Sequence, residues 1–222
     1  MIQVVTIDGP AGAGKSTVSR CLADRLGWRL LDTGAMYRAV TLAAIRREVD
    51  LRSEDELSKL VDAVEVVVTS EGVVLNGEVV TQKIRTVEVT RLTRYAADSP
   101  GVRRRLVAWQ RAFAEAQRRV VAEGRDQGTI VFPDALRKYF LTADDEERAR
   151  RRQAELAARG DHLSFEETLR QVRERDASDK ARAIAPMVAA DDARIVDSTG
   201  LELDQVVSLL ERDVREYLAA GR

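Results

Sequence analysis

Gly9-Pro10-Ala11-Gly12-Ala13-Gly14-Lys15-Ser16 fits the pattern G-x-x-x-x-G-K-[ST], and its position limits what this chain can fold into. A β-rich run, Ile2 to Ile7, leads into it. A segment from Thr17 to Leu26 leads out, with Val18, Cys21, Leu22 and Leu26 at helical spacing. Strand, glycine loop and helix in that order turn successive backbone N–H groups inward and add the positive end of a helix, which together make an anion cradle. Gly9 to Thr17 is therefore the candidate binding segment for a nucleoside triphosphate. Lys15 reaches its outer phosphates, and the Ser16 hydroxyl is offered to Mg²⁺. An ordinary tight turn would need neither Lys15 nor Ser16.

Further strands are expected at Arg29 to Leu31, Val120 to Ala122, Tyr139 to Leu141 and Ile195 to Val196. With intervening helices they make an α/β fold on a parallel sheet. Ala35 to Arg47 reads as a helix. Between Val64 and Val80 the period changes to two, and Asn76-Gly77 supplies a hairpin turn, so a small antiparallel insert is expected. Ser99-Pro100 starts a helix running to about Gln117, with Val102, Leu106, Trp109 and Phe113 on one face. Asp145 to about Arg159, and Phe165 to about Lys180 with a Ser164/Glu167 capping box, are helices too polar to be core and are read as a flap. Glu202 to Leu218 closes the chain with an apolar stripe. Cys21 and Trp109 are expected in the core and His162 in the flap loop.

At 222 residues one core with two excursions is expected. A formal net charge of -1 argues against a non-specific nucleic-acid binder. One cysteine and one histidine argue against disulfide and zinc chemistry. No apolar run approaches the ~20 residues of a membrane span, and Met1 to Ile7 lacks a basic flank, so a soluble cytoplasmic protein is expected.

The loop alone does not separate a switch GTPase, a motor and a small-molecule kinase. The only asparagine is Asn76, which disfavours a guanine-reading Asn-Lys-x-Asp. Arg38, at a helix entry after Asp32, and Arg125-Asp126, after a strand, are candidates to hold a second anionic substrate. Arg148, Arg151 and Arg152 lie at i, i+3 and i+4, a cationic face that repels itself until an anion arrives and could close over a phosphoryl group in transfer. Arg175, Asp179 and Arg182 share another face and by themselves read as a surface salt-bridge ladder.

Taken in order, several segments resemble a known family: Thr6-Ile7-Asp8-Gly9-Pro10 through Ser16, Leu31 to Arg38, Gly124-Arg125-Asp126 with Gly128 to Ala135, Glu146 to Ala149, and Ala183 to Pro186. The family is bacterial cytidylate kinase, within the P-loop nucleoside-monophosphate kinases. The resemblance implies a five-stranded parallel sheet flanked by helices, with a small antiparallel β insert and a helical lid. The core would be 1–34, 118–144 and 183–222, the monophosphate-binding region 35–117 and the lid 145–182. It implies ATP with Mg²⁺, CMP or dCMP as acceptor, and a monomer. Thr33, Arg38 and Arg125 would hold the acceptor phosphate, Arg103 and Asp126 the cytosine edge, and Arg175 with Asp179 the ribose hydroxyls. Three positions depart from the pattern. Arg94 stands where a base-reading serine is usual, Gln127 replaces methionine, and Ser178 replaces a lid arginine. The first leaves base selectivity open, because arginine cannot accept a hydrogen bond. Another small acceptor, such as UMP or a shikimate-like alcohol, is the nearest alternative activity, and a nucleotide-dependent switch module is the alternative of another class.

Overall fold

The computed structural model describes residues 2–69, 72–158 and 160–221. The first residue of the apolar opening (Met1), Ser70 and Glu71 inside the expected insert, the expected helix end at about Arg159, and Arg222 of the expected core lie outside the described residues. By backbone packing the chain divides into two units, 1–30 with 118–222, and 31–117.

The first unit is built on β1 (Gln3–Asp8), which is almost continuously apolar and buried from Val4 onward. That is the pattern of a parallel strand covered on both faces. With β2 (Arg29–Asp32), β6 (Arg119–Glu123), β7 (Arg137–Thr142) and β8 (Arg194–Asp197), it forms the five-stranded sheet, in the order β2-β6-β1-β7-β8. β1 runs parallel to both β6 and β7, with Val5 opposite Val121 on one side and Arg137 on the other. All the expected sheet strands are present; β1 is shifted by one residue from its expected run, and the other four extend one to three residues beyond the apolar runs that announced them.

α1 (Lys15–Leu26) and α8 (Leu203–Ala219) pack on one another, burying Val18 and Leu22 with Val206, Leu210 and Val214. Cys21 is half-buried against this cluster rather than within it. The two polar helices are α6 (Asp145–Ala157) and α7 (Phe165–Lys180), which pack together, and each buries a large apolar residue, Leu156 and Val172. The Ser164 hydroxyl accepts from Glu167 N, as expected of a cap, but the Glu167 carboxylate turns forward to Arg170 and Gln171. His162 is exposed in the connection between these helices.

The second unit is centred on α2 (Thr33–Arg46). It starts two residues before its apolar stripe because the Asp32 carboxylate caps Ala35 N at 2.8 Å. β3 (Val66–Val68), β4 (Val73–Leu75) and β5 (Glu78–Val79) form the antiparallel insert. Asn76 and Gly77 turn its second hairpin with φ of 50° and 83°. Two helices were absent from the sequence reading, α3 (Glu54–Asp62) and α4 (Val87–Asp98), capped by Ser53 and Thr86. α5 (Pro100–Gln117) begins at the expected proline, but its buried stripe is Val102, Leu106, Gln110 and Ala114. Trp109 is therefore not a core residue; it is half-buried, with the Arg105 guanidinium 5.2 Å from the ring centre. The true period places Gln110 where the sequence reading put Trp109.

Candidate active site

The loop between β1 and α1 is glycine-dependent at three positions, with φ of 141° at Gly9, 77° at Gly12 and 84° at Gly14. Space adds a second reason. A Cβ at Gly9 would lie 2.0 Å from Leu141 O, and one at Gly12 would lie 2.7 Å from Arg148 O. The curl thus seats the loop on the end of β7 and on α6. Lys15 is buried and donates to Pro10 O at 2.7 Å, bridging across the loop. Burial, followed by the nearby Arg125 charge, holds its ammonium well below the ordinary lysine value. Ser16 Oγ donates to Glu123 at 2.9 Å, and Glu123 is itself buried at the end of β6.

Around the loop lie cations already matched to acids. Arg125 Nε donates to Asp179 at 2.9 Å, and Arg182 pairs with the other Asp179 oxygen at 2.7 Å. Burial opposes ionisation of Asp179, yet Arg125, Arg182 and Arg175 outweigh it and hold the carboxyl below its ordinary value. The expected surface ladder is thus a buried cluster, since Asp179 is only 3% exposed. Arg175, one turn earlier on α7, is half-buried and contributes positive potential to both Lys15 and Asp179.

The expectation of three uncompensated arginines on α6 is corrected. Arg148 is 3% exposed, pairs with Asp145 and Asp176, and donates to Ala143 O and Ala11 O at 3.0 Å each. Asp176 also accepts from Ala11 N at 3.4 Å, so both polar backbone atoms of Ala11 are engaged by the helix pair. Arg151 binds Glu147 and both Ser198 oxygens, and its guanidinium lies 3.8 Å from where a Cβ would sit on Gly14. Arg152 pairs with Glu155. Like charges at i, i+3 and i+4 coexist because acids from α6 and α7 neutralise them before any ligand arrives.

In the second unit, Asp32 faces Arg38 and Arg85, each at 3.4 Å. The Arg38 guanidinium also covers Gly34, where a Cβ would meet it at 3.1 Å. Thr33 and Arg103 are buried, and Arg103 stands over the Tyr37 ring at 5.9 Å. Arg94 is turned onto Tyr95, donating to its hydroxyl at 2.9 Å, while the Thr93 hydroxyl is spent on Val89 O at 2.6 Å.

Residues 5–216 match the family model described as cytidylate kinase. The chain belongs to the cytidylate kinase family. Proteins named cytidylate kinase include one from Pectobacterium carotovorum subsp. carotovorum (strain PC1), 46% identical over 99% of this chain and 99% of that protein. Another, from Salmonella paratyphi B (strain ATCC BAA-1250 / SPB7), is 47% identical over 97% of this chain and 96% of its own length. Among solved structures, a putative kinase from Chloroflexus aurantiacus has a TM-score of 0.51 at 12% identity, covering 100% of this chain and 98% of that one. An uncharacterized protein from Eubacterium ventriosum has a TM-score of 0.53 at 13% identity, covering 96% and 98%. These two share the fold.

Three acids that the structure of this cytidylate kinase family member places around the loop escaped the sequence reading. Glu123 and Asp176 were not singled out, and Asp8 entered only as part of a motif. For Glu123, a carboxylate closing a strand at the carboxyl edge of the sheet was the available signal. Among the described residues no three His, Cys, Asp or Glu side chains converge on a metal position. Ser16 with Glu123 nevertheless offers adjacent hard oxygens, the donor type Mg²⁺ takes when it arrives with a nucleotide and keeps most of its waters. Among the described residues no helix is long and apolar enough to cross a membrane.

Proposed function

We propose that this protein transfers the γ-phosphoryl group of ATP to CMP or dCMP, giving the diphosphate and ADP. The supporting observation is the family match over nearly the whole chain, joined to a loop whose Lys15, Ser16 and left-handed glycines are built for a triphosphate. Bound Mg²⁺ would neutralise charge on the β- and γ-oxygens.

The chain's own residues position and neutralise. Loop amides from Gly9 to Thr17 and Lys15 hold the donor, and Ser16 with Glu123 face the cation. Thr33, Arg38 and Arg125 grip the acceptor phosphate. Arg103 and Asp126 read the cytosine edge, where a carboxylate suits the exocyclic amine. Arg175 and Asp179 take the ribose hydroxyls. Arg151, beside Gly14, and Arg152 serve the transferring group, while Arg148 holds α6 to the loop. Attack is in line, with no covalent enzyme intermediate. The protein acts as a cytoplasmic monomer, in three parts: core 1–34, 118–144 and 183–222, monophosphate region 35–117 and lid 145–182.

Steady-state phosphorylation of CMP, dCMP, UMP, AMP and shikimate, with the Arg94→Ser variant alongside, tests the reading. A preference for CMP or dCMP supports it. Preference for another acceptor replaces the substrate, and no ATP consumption above background with any acceptor removes the kinase.

A further inference from the structure

β1 ends in an acid that the reaction as described does not use. Asp8 is 4% exposed and immediately precedes Gly9 of the phosphate loop. Its Oδ1 accepts from Gln127 N at 2.9 Å and its Oδ2 from Gly128 N at 2.8 Å. Those two amides open a single π turn, Gln127–Val131, directly after Arg125 and Asp126. The last strand-to-strand bond here is Gly124 N to Ile7 O at 3.2 Å, and Asp8 supplies the next two from β1.

The turn is pressed close. A Cβ on Gly128 would lie 3.0 Å from Thr6 Oγ1 and 3.2 Å from Lys138 Cδ. The buried Thr6 hydroxyl has no hydrogen-bond partner, so it does not share the tethering.

We propose that Asp8 is a positioning residue whose carboxylate clamps the segment carrying Arg125 and Asp126 to the root of the phosphate loop, fixing the spacing between donor and acceptor groups. The inference rests on the acceptor roles proposed above for Arg125 and Asp126. Chemistry favours a carboxylate in this place. Two parallel N–H donors need two acceptors, and only the ionised acid presents one oxygen to each. Asparagine would turn an NH₂ toward one amide.

The ionised form is held at a cost. Burial pushes Asp8 up, Gly128 N and Gln127 N pull it back, Asp126 raises it and Lys15 lowers it, leaving it at about 6. Beside the clamp, Lys138 of β7 covers Gly128 and pairs with Asp192, and Glu123 of β6, opposite Ile7 in the sheet, is engaged by Ser16. A proton on Asp8 would place an O–H against one amide and open the clamp.

The test is a pH titration of the ligand-free, full-length protein by amide NMR, together with kinetics of the Asp8→Asn variant. In wild type the Gln127 and Gly128 amides should move with a shared inflection at about 6, absent in Asp8→Asn. The variant should show an acceptor KM raised about tenfold, the loss of roughly one buried hydrogen bond, with ATP affinity by calorimetry within about threefold of wild type. Amides that do not titrate, or equal losses for both substrates, overturn the clamp. Should the variant not fold, the wild-type titration decides alone. Should wild type phosphorylate no monophosphate, the proposed activity fails while the titration still judges the clamp.

Discussion

Replacing Arg148 with methionine should destabilise the protein far more than a flap residue would. The side chain is 3% exposed and makes two ion pairs and two bonds to backbone carbonyls. Methionine fills much of the volume but leaves Asp176 buried opposite an apolar group and strips donors from Ala11 O and Ala143 O. Removing one partner of a buried pair costs about 3 to 5 kcal/mol. For a chain of this size that is a fall in Tm of about 6 to 20 °C. Urea unfolding followed by circular dichroism measures it. Asp176→Leu keeps the Arg148 to Asp145 pair and should cost less, and the double variant should be better than additive by about 2 kcal/mol, since it leaves no orphaned charge. An Arg148→Met protein within about 0.5 kcal/mol of wild type, the range of ordinary surface substitutions, would refute the structural assignment. If such a stable variant had also lost turnover, Arg148 would belong to the chemistry.

Gly12→Ala should abolish ATP binding by calorimetry and cost stability beyond the ~1 to 2 kcal/mol of a left-handed alanine, because its Cβ meets Arg148 O at 2.7 Å. Gly77→Ala, with φ of 83° and nothing within 4 Å, isolates the backbone strain alone and should stay near that lower figure in the same denaturation assay. Arg38→Ala should raise the acceptor KM by about tenfold or more and leave ATP affinity little changed, because the role proposed for its guanidinium is on the acceptor phosphate alone. Asp179 has a folded value below the ordinary 3.8, so the stability it contributes is complete above that pH and drains away as pH falls through the folded value. Asp179→Asn should therefore flatten the acid side of a urea-midpoint profile, which is measured below about pH 4.

The glycine loop was legible because its features are contiguous: nine neighbouring residues from Gly9 to Thr17 carry the turn, the cation and the hydroxyl. The five sheet strands were legible as apolar runs. α3 was missed although Ser53, Glu56, Leu57, Leu60 and Val61 carry a cap and a stripe; at nine residues it is too short to stand out by period. Trp109 was misplaced because a large aromatic attracts a core assignment, whereas the burial period selects Gln110. The pairings of Arg148 with Asp176 and of Arg125 with Asp179 span 28 and 54 residues, and no local pattern specifies them. Asp8 and Gln127 are 119 apart, joined only because β1 and β6 are neighbours in the sheet.

That distribution has a physical consequence for an arginine-rich enzyme. Charges read along a helix suggested repulsion waiting for a substrate, yet α6 and α7 carry the acids that cancel it. Ala11 N already faces Asp176, and Arg125 already faces Asp179. A phosphate arriving at either place exchanges one anionic partner for another, so its net gain is the difference between two charge-assisted bonds rather than the whole of one. Selectivity then lies in geometry. A phosphoryl group offers three oxygens to converging donors where a carboxylate offers two, and these acids hold the arginines in position for that comparison. Neutralising Asp179 should accordingly loosen Arg125 rather than free it for tighter binding, raising the acceptor KM in the Asp179→Asn protein at neutral pH. A lowered KM in that variant would show the acid to be a competitor instead of a brace.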